Sequence, residues 1–331
     1  MRRMMCLVSV SIMALASLSI AAVNNAAEWW DGSPTVTTDK EVYLTGETVT
    51  IKVTCYIPAQ FSSTGQCFYV VKDELNKTVY DFRNHTYVAW VLTSLTPPKT
   101  FAFGWNQKDD NGKQVPTGTY AIWGYEAGYH FWSSSPIAGN STTISIVEKY
   151  TVNLVHGWNL FSLPLVASNY TSASLGLPTG SVVARWNSTA RGYDVFIVGV
   201  SPQSRAFALA NFRAYFVHVA SACTVPVLGL RVTSPQKFTW ELPPSGTGWV
   251  LAGFPKGNTT HRVSEIQSWI DTPGVKVITV IYYNPLTGTY VTWISSLPTI
   301  NNFILVPGQG YGIFLSTSSL SGDVVTGTYP P

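Results

Sequence analysis

The chain has 331 residues, of which 46% are hydrophobic, 13% aromatic and only 11% charged, with a formal net charge of +3. A soluble domain usually carries about 25% charged residues, yet beyond residue 22 no window long enough to cross a bilayer is free of polar or turn-forming residues, which excludes a spanning helix in the mature chain. The near-neutral balance, with no Lys/Arg cluster, leaves no electrostatic case for nucleic acid as a partner.

At the N-terminus Arg2 and Arg3 precede an apolar run from Cys6 to Ile20, followed by Ala21, Ala22, Ala26 and Ala27. This is the pattern of a secretory signal peptide over residues 1–22, with cleavage after Ala22 or as late as Ala27; the alternative is an uncleaved N-terminal anchor. Cys6 stands at the start of the apolar run and is not placed as a lipoprotein cysteine. Cleavage removes Arg2 and Arg3 and lowers the net charge from +3 to +1, which leaves little repulsion against self-association. An extracellular or cell-surface location follows. Directly after the cleavage zone stand Trp29 and Trp30. Adjacent side chains point to opposite faces of a strand, so one tryptophan anchors on a neighbouring subunit or the pair packs under a loop of its own chain.

Residues 28–148 read as short strands broken by Gly, Pro, Asn and Asp. "TVTIKVTCY" alternates up to Cys55, and "CFYVVKDE" begins at Cys67, with eleven residues between the two cysteines. In an oxidising compartment a Cys55–Cys67 disulfide is expected, stabilising by about 3 kcal/mol on a chain-entropy model. Cys223, in an apolar setting, is left as a buried thiol. In "FAFGWNQKDDNGKQVPTGTYAIWGYE", Phe101, Phe103 and Trp105 alternate inward, and Gly112 supplies the positive φ of a turn. Calcium needs six or more oxygens at defined spacing; "DDNG" lacks the distal Glu and reads as a solvated turn. Trp105, Asp109, Gly112, Pro116, Gly118 and Tyr120 together resemble the Ig-like domain of flagellar hook-capping proteins and of many secreted proteins. The resemblance covers about twenty residues and implies a β-sandwich with a structural or assembly role. Next, "YEAGYHFWSSS" groups Tyr125, Tyr129, His130, Phe131 and Trp132, which either seal a domain interface or form an exposed patch that stacks on sugars or on a partner.

Two phrases recur beyond residue 150. "GWNLFSLPL" starts at Gly157 and "GWVLAGFPK" at Gly248. Trp158 and Trp249, Tyr193 and Tyr290, and Tyr215 and Tyr311 follow in the same order at offsets of 91, 97 and 96 residues, the signature of a tandem repeat. Two small β-domains are expected, at 150–238 and 239–331, each with Trp and Leu of the opening strand facing a core. Pro164 and Pro255 end those strands because proline cannot donate to a ladder. Within the second copy, Arg262 to Ile270 carries the one helical pattern, with Val263, Ile266 and Ile270 on one face. The start "GWNLFSLP" and the end "PGQGY" (Pro307 to Tyr311) resemble a β-domain common in large surface and secreted proteins of archaea and bacteria, which implies a cell-surface module and no catalysis. The first copy has "NFRAY" in place of "PGQGY". The closing run "GDVVTGTYPP" either adds to a neighbour's sheet or finishes its own domain.

No chemistry-bearing motif emerges. There is no G-x-S-x-G elbow and no H-E-x-x-H, and the histidines (His85, His130, His156, His218, His261) show no ligand spacing. Only Asp194 and Glu241 are acidic between Lys149 and Ser264, a poor basis for the paired carboxylates of a glycosidase. No catalytic residue, metal or cofactor is assigned. Six sequons, at Asn76, Asn84, Asn140, Asn169, Asn187 and Asn258, are candidate glycan sites. The sequence therefore reads as an all-β secreted glycoprotein, an Ig-like sandwich followed by two tandem β-domains. Its expected role is a structural subunit or accessory of a surface layer or filament, with self-association or other surface proteins as partners. The alternative is a monomeric adhesin or carbohydrate-binding protein, and glycans are then the partners.

Overall fold

The computed structural model describes residues 33–55, 65–85, 98–128, 137–187, 192–242, 247–317 and 324–331. Residues 1–22, where a signal peptide is expected, and Trp29, Trp30, Tyr129, His130, Phe131 and Trp132 lie outside them. The fold is nearly all β, and the chain divides into two compact units, Met1–Ile146 and Val147–Pro331. No helix among the described residues is long and apolar enough to cross a membrane.

The first unit is a sandwich. One sheet has the order β1 (Thr35–Thr38), β3 (Val49–Cys55), β6 (Lys99–Trp105). The other places β7 (Gly118–Gly128) between β4 (Gly65–Lys72) and the first part of β8 (Ile137–Leu154), with β5 (Thr78–Asp81) outside β4 and β2 (Val42–Leu44) on β8. Strict alternation does the work: Val49, Ile51, Val53 and Cys55 are buried while the residues between them are not, and they meet Phe101, Phe103 and Trp105 from β6 and Tyr69, Val71, Tyr120 and Ile122 from the facing sheet. Cys55 and Cys67 are joined as expected. Because β3 and β4 belong to different sheets, the bond ties the two layers together. The "KDDNGK" turn also forms: Asp109 accepts from the N–H groups of Asn111 and Lys113, both at 2.9 Å, and Gly112 has φ 77°. Buried Gln107 donates from Nε2 to the Leu44 carbonyl and accepts from the Gly46 N–H through Oε1, which pins the β2–β3 turn.

The second unit contains one strand plan twice. In the first copy the end of β8 pairs with β13 (Cys223–Gly229), and a four-stranded sheet runs in the order β11 (Gly192–Ile197), β10 (Val182–Asn187), β12 (Ala214–Val219), β9 (Gly157–Ser162). In the second, β14 (Gln236–Glu241) pairs with β19 (Val324–Tyr329), and the sheet order is β17 (Thr289–Ile294), β16 (Val275–Asn284), β18 (Gly310–Thr317), β15 (Gly248–Gly253). Each copy is thus a two-stranded ribbon packed on a four-stranded sheet with strand order 3-2-4-1. The closing run of the sequence finishes its own domain as β19. The boundary expected at 238/239 falls inside β14, which pairs with β19 and belongs to the second copy; β14 precedes Trp249, the first aligned landmark of that copy, so the alignment did not reach it. The helix expected over 262–270 is shorter. A 3-10 turn over Val263–Glu265 leads into α1 (Ile266–Trp269), and Val263, Ile266 and Trp269 are the buried face, with Ile270 only half-buried.

The two copies pack closely against each other through small residues. A Cβ on Gly253 would lie 2.0 Å from the Ser162 Cβ, and one on Gly310 would lie 2.7 Å from the Ala214 Cβ. The turns before β12 and β18 interlock reciprocally. Phe212 has φ 62° and is buried in the second copy's core beside Phe238 and Tyr329, while its carbonyl accepts from Trp240 Nε1 at 3.0 Å. Gly308, 96 residues on, has φ 87°, sits against Val152 of the first copy, and accepts from the Ser162 N–H at 3.0 Å. "NFRAY" and "PGQGY" therefore build one turn from different residues.

Candidate functional site

The aligned tyrosines and tryptophans do different jobs. Tyr215 and Tyr311 are buried, and each hydroxyl accepts from a backbone N–H five residues upstream, Ala210 at 2.7 Å and Val306 at 2.6 Å. Burial pushes both phenols up from the ordinary tyrosine value. They are structural pins. Trp158 and Trp249 are not core residues, contrary to expectation. With a period of two, Trp158 shares a face with Leu160, and Trp249 with Leu251. The face turned to the core carries Phe161 in the first copy and Val250 and Ala252 in the second. Asn159 lies on the core face as well. It is buried at no cost because its amide bonds the backbone of Val155, Gly157 and Val217. The polar residue thus faces in and the tryptophan faces out, the reverse of what alternation of polarity implies. Gly157 takes the positive φ of 93° at the strand entry, whereas Gly248 does not.

The outward faces of the two four-stranded sheets line one cleft of about 930 Å³. Leu160, Val182, Ala184 and Val195 contribute from the first copy, and Leu251 and Ile281 from the second. The aromatic lining is paired: Trp158 and Tyr193 on one side are 50% and 54% exposed, and Trp249 and Tyr290 on the other are 45% and 65% exposed. Among the described residues, none that lines the cleft is charged. Edge-to-face contacts hold the rings: Tyr193 lies 5.3 Å from Trp186 and 5.8 Å from Phe216, and Trp158 lies 5.1 Å from His218. On the other side Trp249 meets Phe314 at 5.2 Å and Tyr290 meets Tyr283 at 5.3 Å. His218 is half-buried under Trp158, as a strand residue would be.

A second, smaller pocket of about 310 Å³ adjoins the cleft and shares Trp249 and Leu251 with it. Its other lining residues include Trp186, Trp240, Arg185, Asn187, Arg213 and Glu241. Arg185 bonds Asp194 at 2.9 Å and Arg213 bonds Glu241 at 2.8 Å, so the cations are neutralised in place. The Arg185 and Asn187 bonds hold the Asp194 carboxyl below the usual range. The pocket is polar, aromatic and without net charge.

The remaining sequence assignments scatter. Tyr125 stacks on Phe68 at 5.3 Å in the first unit and is half-buried. Cys223 is half-buried against the first copy's core rather than sealed in it, and its thiol is pushed up by burial. Asn76, Asn140, Asn169 and Asn258 are exposed. Two sequons are engaged through the nitrogen a glycan would use: Asn84 Nδ2 donates to Asp110 at 2.8 Å, and Asn187 Nδ2 donates to Asp194. Among the described residues no group of three His, Cys, Asp or Glu side chains lies together as a metal site. The polar pocket carried no sequence signal, because Arg185, Arg213 and Glu241 stand far apart in the chain. No protein-family model matches this chain, and no curated protein is significantly similar to it.

Proposed function

We propose that this chain is an extracellular structural protein, a subunit of or accessory to a cell-surface layer or filament, which associates with further copies of itself through the cleft of its second unit. The carrying observation is the cleft, an uncharged trough whose four rim aromatics are about half exposed on a chain with little charge to hold copies apart. Contiguous apolar surface of this kind marks an interaction site, and aromatic side chains dominate such contacts. The signal-peptide pattern, the Cys55–Cys67 bond and the exposed sequons accord with an oxidising, extracellular setting. The motif resemblances point the same way.

Electron microscopy and sedimentation of the mature protein, isolated without denaturant, test the reading. Ordered filaments or lattices are expected, and a Trp158→Ser, Tyr290→Ser double variant should remain folded and dispersed. Monomers of the unaltered protein at every concentration would overturn it and leave the alternative, a monomeric carbohydrate-binding adhesin, which the polar pocket favours.

A further inference from the structure

We propose that the smaller pocket of the second unit binds a neutral saccharide, through a single sugar ring seated against Trp186 and Trp249. This goes beyond the assembly reading and does not depend on it. A pyranose presents an apolar face of C–H groups and a rim of hydroxyls, each both donor and acceptor. A site for it needs an exposed aromatic face together with donors and acceptors of fixed orientation. The pocket offers that combination. Trp186 and Trp249 line it at 42% and 45% exposure, and neither indole N–H has a partner among the described residues.

The polar wall has the right chemistry and the right charge. Arg185 spends only Nε on Asp194, and Arg213 spends only Nη2 on Glu241, so further guanidinium N–H donors remain on two planar groups that line the cavity. Each cation is cancelled by its own carboxylate, and an ionic ligand would find no uncompensated partner there. The wall is also rigid. Arg185 lies over the Phe207 ring at 4.6 Å, and Trp240 is fixed by its bond to Phe212. A volume of about 310 Å³ is at the low end for ligand sites. It suits one ring and is too small for a lipid tail or a peptide segment, which the neighbouring apolar cleft would accept instead.

The test is a titration of the full mature chain with methyl glucoside, methyl galactoside and methyl mannoside, up to roughly 50 mM, far above a dissociation constant on the order of 1 mM. The readout is the indole N–H resonances of tryptophan-labelled protein. Glucuronate and adenosine serve as charged and planar-base controls. The proposal expects saturable shifts at Trp186 and Trp249 with at least one neutral glycoside, and none with the controls. Trp186→Ala, at an exposed position, should weaken binding about tenfold or more. Trp158→Ala, which alters the cleft and not the pocket, should leave it unchanged. No response to any neutral glycoside, equal responses to the controls, or unchanged binding in Trp186→Ala would each overturn the assignment. Because the cleft variants report on assembly and Trp186→Ala on sugar, the two readings fail separately.

Discussion

At the scale of single residues, the backbone demands a left-handed conformation at turns, and the chain does not always meet that demand with glycine. Asp73 and Asp109 head identical turns, each accepting from backbone N–H groups two and four residues on; Gly112 takes the positive φ in one and Asn76 in the other. The Gly112 turn was legible in the sequence because glycine announces it, and the Asn76 turn was not. Phe212 and Gly308 make the same contrast. A bulky residue at φ 62° costs on the order of 1–3 kcal/mol, and here the buried ring offsets the strain. Phe212→Gly should therefore lower stability by about 2–4 kcal/mol in a chemical-denaturation titration, since the lost ring outweighs the relieved backbone. Gly308→Ala should also destabilise, by about 1–3 kcal/mol, because a Cβ there is both strained and 2.7 Å from a Val152 methyl. No net change in either variant would refute this account of the turn.

At the scale of elements, the all-β character and several strands were legible, while their facing was not. Alternation located β3, β6 and the two "GW" strands. It could not say which face of β9 is the core, because Asn159 is satisfied by backbone and Trp158 is left outside. Polarity alternates in both arrangements, and only the ribbon packed on one side breaks the tie. Contacts between the copies were likewise invisible, being made by Gly253, Ser162, Gly310 and Ala214, which carry no pattern of their own. Gly253→Val should force the copies apart and cost about 1–3 kcal/mol or more by calorimetry, with the first unit's core unaffected. Conversely, Cys55→Ser with Cys67→Ser should destabilise the first unit by about 3 kcal/mol, and leave the indole resonances of Trp158 and Trp249 where they were.

At the scale of the whole molecule, acid is the expected weakness. Glu148 on β8 accepts from Arg231 at 2.9 Å and from Lys256 at 2.5 Å, binding a first-copy strand to the segment after β15. Burial raises its pKa, but Lys256 and Arg231 together outweigh burial and hold it below the ordinary 4.5. Asp194, Asp271 and Glu265 are lowered as well. A depressed folded-state pKa contributes stability that is full above the unfolded value and lost as pH falls through the folded one. Thermal stability should therefore decline as pH drops below about 4.5, and Glu148→Gln should lose about 1–3 kcal/mol at neutral pH and flatten that decline. A profile that is level down to pH 3 would contradict this. The interlocked turns carry a last consequence, for biosynthesis. Phe212 emerges from the ribosome early, but Tyr329, one of the rings that encloses it, is made only after almost all of the second copy. The first copy thus waits, with an apolar ring uncovered, until the second is translated. A chain cut short before β19 would forfeit both copies rather than one, and the pair would be inherited and degraded as a single item.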